Sequence, residues 1–333
     1  MPTTSVRAAA RSHPGRVRKS NEDAFVVANL AAGTVLDAPL RATAMDVVGR
    51  GVLLAVSDGM GGHAAGEVAS AMVVESLTAM LGQADEDEPP EVSFEDVVQR
   101  TNSDVNRAAR DRGKEGMGAT LTAVLVVDQT AYIAQVGDSR AYVLRRSQLT
   151  QLTRDQSFLQ MLLDTGALSP DQAQSFTKKN WILQAMGVTN DLKVGLSSLE
   201  LRNGDRVLIC SDGLHGLVGD EDLTKILAGG EESSVCDRLI ELANERGGSD
   251  NITVVVATIA GDDVPEADDE ESVDETLEVL AEYIPTAEGA KPIDSSPEAP
   301  DAGTLAGYRR LSVAVMGLVL LFTAAGYWFV LSK

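Results

Sequence analysis

Two apolar segments of this sequence end in the same tripeptide, Ser-Asp-Gly. VLLAVS runs into Asp58-Gly59, and RVLICS runs into Asp212-Gly213. A short run rich in valine, leucine and isoleucine that stops at a turn dipeptide is typical of a buried β-strand. The glycine lets the backbone turn tightly and come close to a ligand. The chain is therefore expected to present carboxylates at the edge of a buried sheet.

Short apolar runs of this kind recur throughout residues 1–260. The runs that read as strands are Val52–Val56, Leu121–Val127, Tyr132–Val136, Val207–Cys210 and Ile252–Ile259. Segments with the 3.6-residue apolar period of helices lie between them, at Gly66–Leu81, Phe94–Ala109 and Ser233–Asn244. The pattern predicts a mixed domain of helices and strands.

Further carboxylates lie at comparable strand ends. Asp138 follows AYIAQVG, Asp250 precedes NITVVVATI, and Glu22 and Asp23 are adjacent in RKSNEDAF. Each of these, taken singly, is more often a turn or a solvated surface residue. Gathered together they would repel one another unless a cation neutralised them. Carboxylates in a chain with only three histidines favour Mg²⁺ or Mn²⁺ over zinc or copper.

Composition excludes some classes of protein. A net charge of −22 argues against nucleic acid as a partner, because such binding needs lysine and arginine to neutralise phosphates. Cys210 and Cys236 form neither a disulfide framework nor a zinc motif, which favours a reducing cytoplasm. The first residues carry no apolar core, so no secretory signal peptide is expected.

The C-terminal part has a different character. Residues 261–307 are rich in carboxylates and proline, which predicts a flexible acidic linker. Within it, Val273, Leu277, Leu280 and Ile284 are spaced for a short amphipathic helix, either a transient one or a docking element. Residues 308–333 contain a charge-free run, Leu311–Ser332, which predicts a transmembrane anchor spanning about 311–330; a buried core helix is the alternative. Arg309 and Arg310 before the span favour a single-pass protein whose larger part faces the cytoplasm.

Six short motifs follow one another in a fixed order along the chain. They are R-x-x-N-E-D-A (Arg18 to Ala24), D-G-M-G-G-H (Asp58 to His63), M-G-A-T-L-T (Met117 to Thr122), V-G-D-S-R-A-Y (Val136 to Tyr142), S-D-G-L (Ser211 to Leu214) and S-D-N-I-T-V (Ser249 to Val254). The run resembles the protein phosphatase 2C family of metal-dependent phosphatases in its bacterial form. The resemblance covers about residues 5–260. It implies an α+β fold with two central antiparallel sheets packed as a sandwich and helices on both outer faces.

The resemblance also implies a metal site. Asp58 would bridge two ions, Mn²⁺ or Mg²⁺, and the carbonyl of Gly59 would bind one of them. Asp212 and Asp250 would complete the first ion's ligands. Glu22 would face the second ion, directly or through water.

Other positions are implied to serve the reaction. Asp23 would hold metal-bound waters, Asp138 with Asp212 would form a third metal site, and Arg18 would bind the substrate phosphate. A water bridging two ions loses its proton near neutral pH and would attack phosphorus in line, with no phospho-enzyme. His63 is a candidate acid for the leaving group; capping of the following helix is its alternative role.

The implied function is hydrolysis of phosphoserine and phosphothreonine in proteins, opposing serine/threonine kinases, by a monomeric enzyme. Two alternatives remain: a pseudo-phosphatase scaffold that binds phosphoproteins without turnover, and a membrane-tethered calcium-binding or scaffold module working through its acidic tail. Two stretches depart from the family pattern, at Asp155-Gln156-Ser157 and at Phe176-Thr177-Lys178-Lys179-Asn180. Both are expected near a mobile flap, roughly Gln160 to Met186, that leaves substrate choice open.

Overall fold

A computed structural model describes residues 4–36, 40–61, 64–114, 116–174, 176, 180–269, 271–285 and 292–294. The strands are β1 Ser5–His13, β2 Asp23–Asn29, β3 Thr34–Val35, β4 Leu40–Asp46, β5 Val52–Met60, β6 Gly118–Ala119, β7 Leu121–Val127, β8 Thr130–Val136, β9 Arg140–Arg145, β10 Gln148–Gln151, β11 Trp181–Ile182, β12 Gly195–Glu200, β13 Arg206–Cys210, β14 Ile252–Ala260, β15 Leu277–Ala281 and β16 Ile293–Asp294. The helices are α1 Ala64–Leu81, α2 Pro90–Asp111, α3 Phe158–Asp164, α4 Pro170–Gln174, α5 Asp212–His215, α6 Asp220–Leu227 and α7 Glu232–Glu245. The strands and helices predicted from the apolar patterns of residues 1–260 are confirmed.

The chain divides into two compact units. The first comprises Met1–Gln156 and Gln184–Tyr283. It contains a six-stranded sheet in the order β10-β9-β13-β14-β1-β4 and an eight-stranded sheet in the order β15-β12-β8-β7-β5-β2-β3, with β6 paired to β5. Neighbouring strands run antiparallel throughout both sheets. The predicted mixed α+β fold with antiparallel sheets is confirmed.

The layers follow from the alternation of side chains along strand β5. Leu54 packs in a core cluster with Val207 and Val255 of the other sheet. Leu53 points the opposite way, into a cluster with helix residues such as Leu77 of α1. A third cluster joins the outer face of the six-stranded sheet to α6 and α7. Because β5 is buried on both faces, its sequence reads as a continuous apolar run rather than an alternating one.

The second unit comprises Ser157–Leu183 and Ile284–Lys333. Its described part contains α3, α4 and a short antiparallel pair of β11 with β16. The ring centroids of Phe158 and Trp181 lie 5.8 Å apart, and those of Phe158 and Phe176 lie 6.3 Å apart. This unit includes most of the predicted flap, whose mobility stays a prediction.

The acidic segment after residue 260 is partly folded. Residues Val273–Glu275 form a turn of 3-10 helix, and β15 pairs with β12 at the edge of the eight-stranded sheet. The short amphipathic helix predicted here is therefore wrong. The segment instead adds a strand to the sheet, and an ion pair fastens the chain just before it: Arg202 Nη2 lies 2.6 Å from Glu271 Oε1. The domain boundary at 260 and the linker beyond it stay predictions.

The predicted anchor, Leu311–Ser332, lies outside the described residues. None of the helices formed by the residues described here is both long and apolar enough to cross a membrane.

Candidate metal centre

Asp58 lies near the end of β5, and carboxylates from four other segments surround it. Asp23 on β2 is its direct partner in the antiparallel ladder. Burial raises the pKa of Asp58 well above its ordinary value, and the charges of Asp23, Asp212, Asp250 and Asp138 raise it further. The structure thus brings together the five aspartates that the sequence places at strand ends.

The neighbouring carboxyls are perturbed in the same direction. Burial raises the pKa of Asp23 to about 6. It raises the pKa of Asp138 to about 7, with the charge of Asp155 as the next cause. Burial and then the charge of Asp138 hold the pKa of Asp212 well above its usual range. At neutral pH the cluster therefore carries its full negative charge only when positive charge enters it.

The donor set fits divalent cations that prefer oxygen. Oδ1 of Asp23 and Oδ1 of Asp212 are buried and have no hydrogen-bond partner among the described residues. The carboxyl groups of Asp23 and Asp212 both act on Asp58, because the charge of each raises the pKa of Asp58. Carboxylates held this close repel one another when ionised, unless protons or cations neutralise them.

The carboxylates do not form a closed cage. In the described part of the chain, no three Asp, Glu, His or Cys side chains are gathered closely enough to hold one ion by themselves. Mg²⁺ is usually bound by one or two carboxylates and keeps several waters. The arrangement therefore fits hydrated ions that share Asp58 rather than one ion enclosed by side chains.

Gly59 and Glu22 are joined by the backbone. The Gly59 N–H donates to the carbonyl oxygen of Glu22 at 3.2 Å, and the Ser70 hydroxyl donates to the same oxygen at 2.5 Å. A Cβ atom on Gly59 would lie 2.2 Å from the carbonyl oxygen of Gly66, so only glycine fits this close approach. Both predicted residues therefore lie beside Asp58.

Arg18 lies in the loop between β1 and β2, and its side chain turns towards the cluster. Its Nη2 is 2.6 Å from Oδ2 of Asp250, and both side chains are about one-fifth exposed. The guanidinium keeps further donors beyond the one that bonds Asp250. Arg18 is thus fixed at the rim of the carboxylate cluster, and its binding of a phosphate stays a prediction.

Asn251 is a residue whose role the sequence analysis missed. Its Nδ2 donates to the carbonyl oxygens of Pro14 and Ser20, at 3.1 and 2.9 Å, and its Oδ1 accepts from the Glu22 N–H at 2.8 Å. Its own N–H donates to Oδ1 of Asp250 at 2.8 Å. One buried side chain therefore holds the Arg18 loop against the strand end that carries Asp250. The sequence signal that could have indicated this role is the position of Asn251 directly after Asp250 in the motif S-D-N-I-T-V.

Hydroxyl groups from the same motifs support the aspartates. The Asp58 N–H donates to Oγ1 of Thr120 at 2.9 Å, and the Ser57 hydroxyl donates to the Thr120 carbonyl at 2.6 Å. The Ser211 hydroxyl donates to Oδ2 of Asp23 at 2.8 Å. Thr120 belongs to M-G-A-T-L-T and Ser211 to S-D-G-L, and the sequence analysis assigned neither of them a role.

Gln156, one of the departures from the family pattern, holds the turn that carries Asp138. Its Oε1 accepts from the Gly137 N–H and its backbone N–H donates to the Gly137 carbonyl, both at 2.9 Å. Nε2 of His215 lies 3.0 Å from the Asp138 carbonyl, and burial lowers the pKa of His215 to about 4. A neutral imidazole therefore contacts this turn. His63 lies outside the described residues, as do Lys178 and Lys179.

The pKa shifts predict how stability depends on pH. Carboxyls with pKa values of about 6 and 7 in the folded state, against 3.8 as the ordinary value, bind more protons folded than unfolded. The metal-free chain should therefore lose stability as pH rises from about 4 to about 7. Mn²⁺ at 100 times its Kd should restore about 2.7 kcal/mol at neutral pH. Thermal unfolding in chelator and in Mn²⁺ at several pH values measures both effects.

Asp58→Asn is the matched variant for this measurement. It should flatten the pH dependence and remove most of the stabilisation by Mn²⁺, because it removes the central charge. An undiminished Mn²⁺ effect in Asp58→Asn would contradict the site as described.

Comparison with known proteins places this geometry in a family. The family model described as protein phosphatase 2C matches residues 41–246. The serine/threonine protein phosphatase PstP of Mycobacterium tuberculosis is 39% identical over 261 residues, which are 77% of this chain and 46% of that protein. The chain thus spans about half the length of this curated relative.

Solved structures of phosphatases are also similar to this chain. The crystal structure of the Mycobacterium tuberculosis serine/threonine phosphatase PstP/Ppp matches with a TM-score of 0.66 and 37% identity, over 79% of this chain and all of that one. The catalytic domain of PstP in complex with two manganese ions matches with a TM-score of 0.63 and 38% identity, over 78% of this chain and all of that one. This chain belongs to the protein phosphatase 2C family.

Proposed function

We propose that this chain is a metal-dependent protein-serine/threonine phosphatase that uses two Mn²⁺ or Mg²⁺ ions and opposes serine/threonine kinases in bacterial signalling. The observation that carries the proposal is the convergence of four aspartates on Asp58, whose own raised pKa calls for divalent charge at neutral pH. The crystal structure of the related PstP catalytic domain in complex with two manganese ions supports the choice of ion.

Divalent ions bound there would polarise the phosphoryl oxygens and activate water. The protein's own residues would do the rest. Arg18 would bind the phosphate oxygens and so help orient the ester for in-line attack. The buried, unpaired Oδ1 of Asp23 would accept a hydrogen bond from the attacking water and fix its direction. Asp138, whose charge raises the pKa of Asp212 more than any other neighbouring charge, would form the site of a third ion.

The cysteines support hydrolysis by water rather than by a thiolate. Burial raises the pKa of both Cys210 and Cys236 to about 12. Both side chains are buried in the core. A cysteine phosphatase needs an exposed thiolate of lowered pKa, which is the opposite condition.

Asp58→Asn tests the catalytic proposal. The variant keeps the size of the side chain but removes the charge at the centre of the cluster, so we expect turnover of a phosphothreonine peptide in Mn²⁺ to fall at least 100-fold. Release of inorganic phosphate from the purified chain is the measurement. Asp96→Asn, on the exposed face of α2, is the matched control and should keep the wild-type rate. Wild-type turnover by Asp58→Asn would remove the metal assignment; an inactive wild-type chain that still binds phosphopeptide would favour the scaffold alternative.

We also propose that the chain is a monomer held on the membrane by Leu311–Ser332, with the catalytic part in the cytoplasm. The charge-free run is long enough to cross a bilayer, and Arg309 and Arg310 precede it. Residues between the catalytic domain and this run would serve as a flexible acidic linker.

Flotation with liposomes tests the anchor. The full chain should rise with the vesicles in a density gradient and resist extraction by high salt, because apolar insertion is not screened. A variant ending at Gly307 should stay at the bottom. Flotation of both proteins, or of neither, would contradict the anchor without affecting the catalytic proposal.

A further inference from the structure

Most lysines and arginines that the structure describes form an ion pair with a carboxylate. Arg140 with Asp155 is an example, with 2.7 Å between Nη2 and Oδ2. The described cations without such a pair are Arg16, Lys19, Arg41, Arg110, Arg112 and Lys114, and all are exposed. In a chain of net charge −22 an unpaired cation is the exception, so the positions of this group are informative.

Arg16 and Lys19 flank Arg18 in the loop of residues 14–21, called here the Arg18 loop. The Arg16 N–H donates to the carbonyl oxygen of Gly248 at 2.7 Å, so the loop is fastened to the turn that precedes Asp250. Asn251 holds both ends of the loop through its hydrogen bonds to the carbonyl oxygens of residues 14 and 20. The loop therefore presents two free cations at a fixed place beside the carboxylate cluster.

Arg112 and Lys114 lie among the described residues 112–114, 116 and 117 that follow α2, called here the α2 loop. Its end approaches the turn after Asp58: a Cβ atom on Gly61 would lie 3.1 Å from Cα of Met117. The chain then continues into β6, which pairs with the last two residues of β5. The α2 loop is thus also tied to the strand that carries Asp58.

The two loops approach β5 from opposite edges. Strand β2, which follows the Arg18 loop, pairs with one edge of β5. Strand β6, which follows the α2 loop, pairs with the other edge, along which β7 also runs. Each loop that carries free cations therefore leads into a strand that flanks the end of β5 where Asp58 lies. Arg110 has a different role, because a cation in the last turn of α2 stabilises the helix itself.

We propose that the Arg18 loop and the α2 loop together form a cationic docking surface that selects phosphopeptides with acidic residues on both sides of the phosphorylated serine or threonine. The proposal rests on the proposed function, since it places the phosphorylated residue over the carboxylate cluster. An extended peptide advances roughly 3.3–3.6 Å per residue, so residues a few positions away on each side pass over one loop each. A chain this acidic would repel such peptides elsewhere on its surface, and the loops supply local attraction.

The experiment compares three phosphothreonine peptides that differ only in their flanking residues, which are Glu, Ala or Lys. Hydrolysis by the full chain in Mn²⁺ gives kcat/KM for each peptide, and the ratio between peptides is taken within each variant. The wild-type chain should prefer the Glu peptide to the Lys peptide by about tenfold at low salt. High salt should shrink this preference, because exposed charges are screened.

Two double variants locate the selectivity. Arg16→Gln with Lys19→Gln, and Arg112→Gln with Lys114→Gln, should each reduce the Glu-over-Lys ratio about threefold. Arg41→Gln is the matched control, because Arg41 is also exposed and unpaired but lies on β4. It removes the same kind of charge away from the two loops and should leave the ratio unchanged.

The outcomes separate this inference from the proposed function. Equal kcat/KM for the Glu and Lys peptides, or a ratio that neither double variant changes, overturns the docking surface while leaving the phosphatase intact. A drop in Arg41→Gln equal to that of the double variants also overturns it, because bulk charge would then explain the preference. Binding of fluorescent, non-hydrolysable phosphonate peptides is measured in parallel. Flank-dependent binding without any turnover supports the docking surface and overturns the proposed function.

Discussion

Repulsion among buried carboxylates is the constraint on which the rest of this structure depends. Asp58, Asp23, Asp212 and Asp138 converge at one end of the sheets, and each has a raised pKa because burial and its neighbours disfavour the ionised form. Such a cluster costs stability at neutral pH unless cations neutralise it. A fold that keeps it gains a site for divalent ions, and loses some stability whenever those ions are removed.

A layer of hydrogen bonds keeps the carboxylates in place despite that repulsion. Thr120 accepts from the Asp58 N–H, Ser211 donates to Asp23, and Asn251 joins the Arg18 loop to the Asp250 strand. These neutral groups fix the backbone of the site without adding charge. A rigid surround of this kind lets ions enter a prepared position rather than rebuild it. Asn251 in this layer also fixes the Arg18 loop beside the cluster.

The sequence predicted much of this and missed specific parts. The apolar runs located β5, β7, β8, β13 and β14, and the Ser-Asp-Gly signals located Asp58 and Asp212, because both features are local. Asn251 was missed because its role depends on three distant carbonyl and amide groups that only the fold assembles. The short helix predicted from Val273 to Ile284 was wrong, because pairing with the distant strand β12 and a hydrogen bond from Arg145 to Thr276 hold this segment as a strand, and neither partner is visible in the local sequence.

Anomalous diffraction from crystals of the full chain grown in Mn²⁺ tests the central claim most directly. The account predicts two manganese peaks that share the Asp58 carboxylate at about 2.0–2.4 Å, with Asp212 and Asp250 around one of them. Manganese peaks elsewhere on the protein, with none beside Asp58, would contradict it.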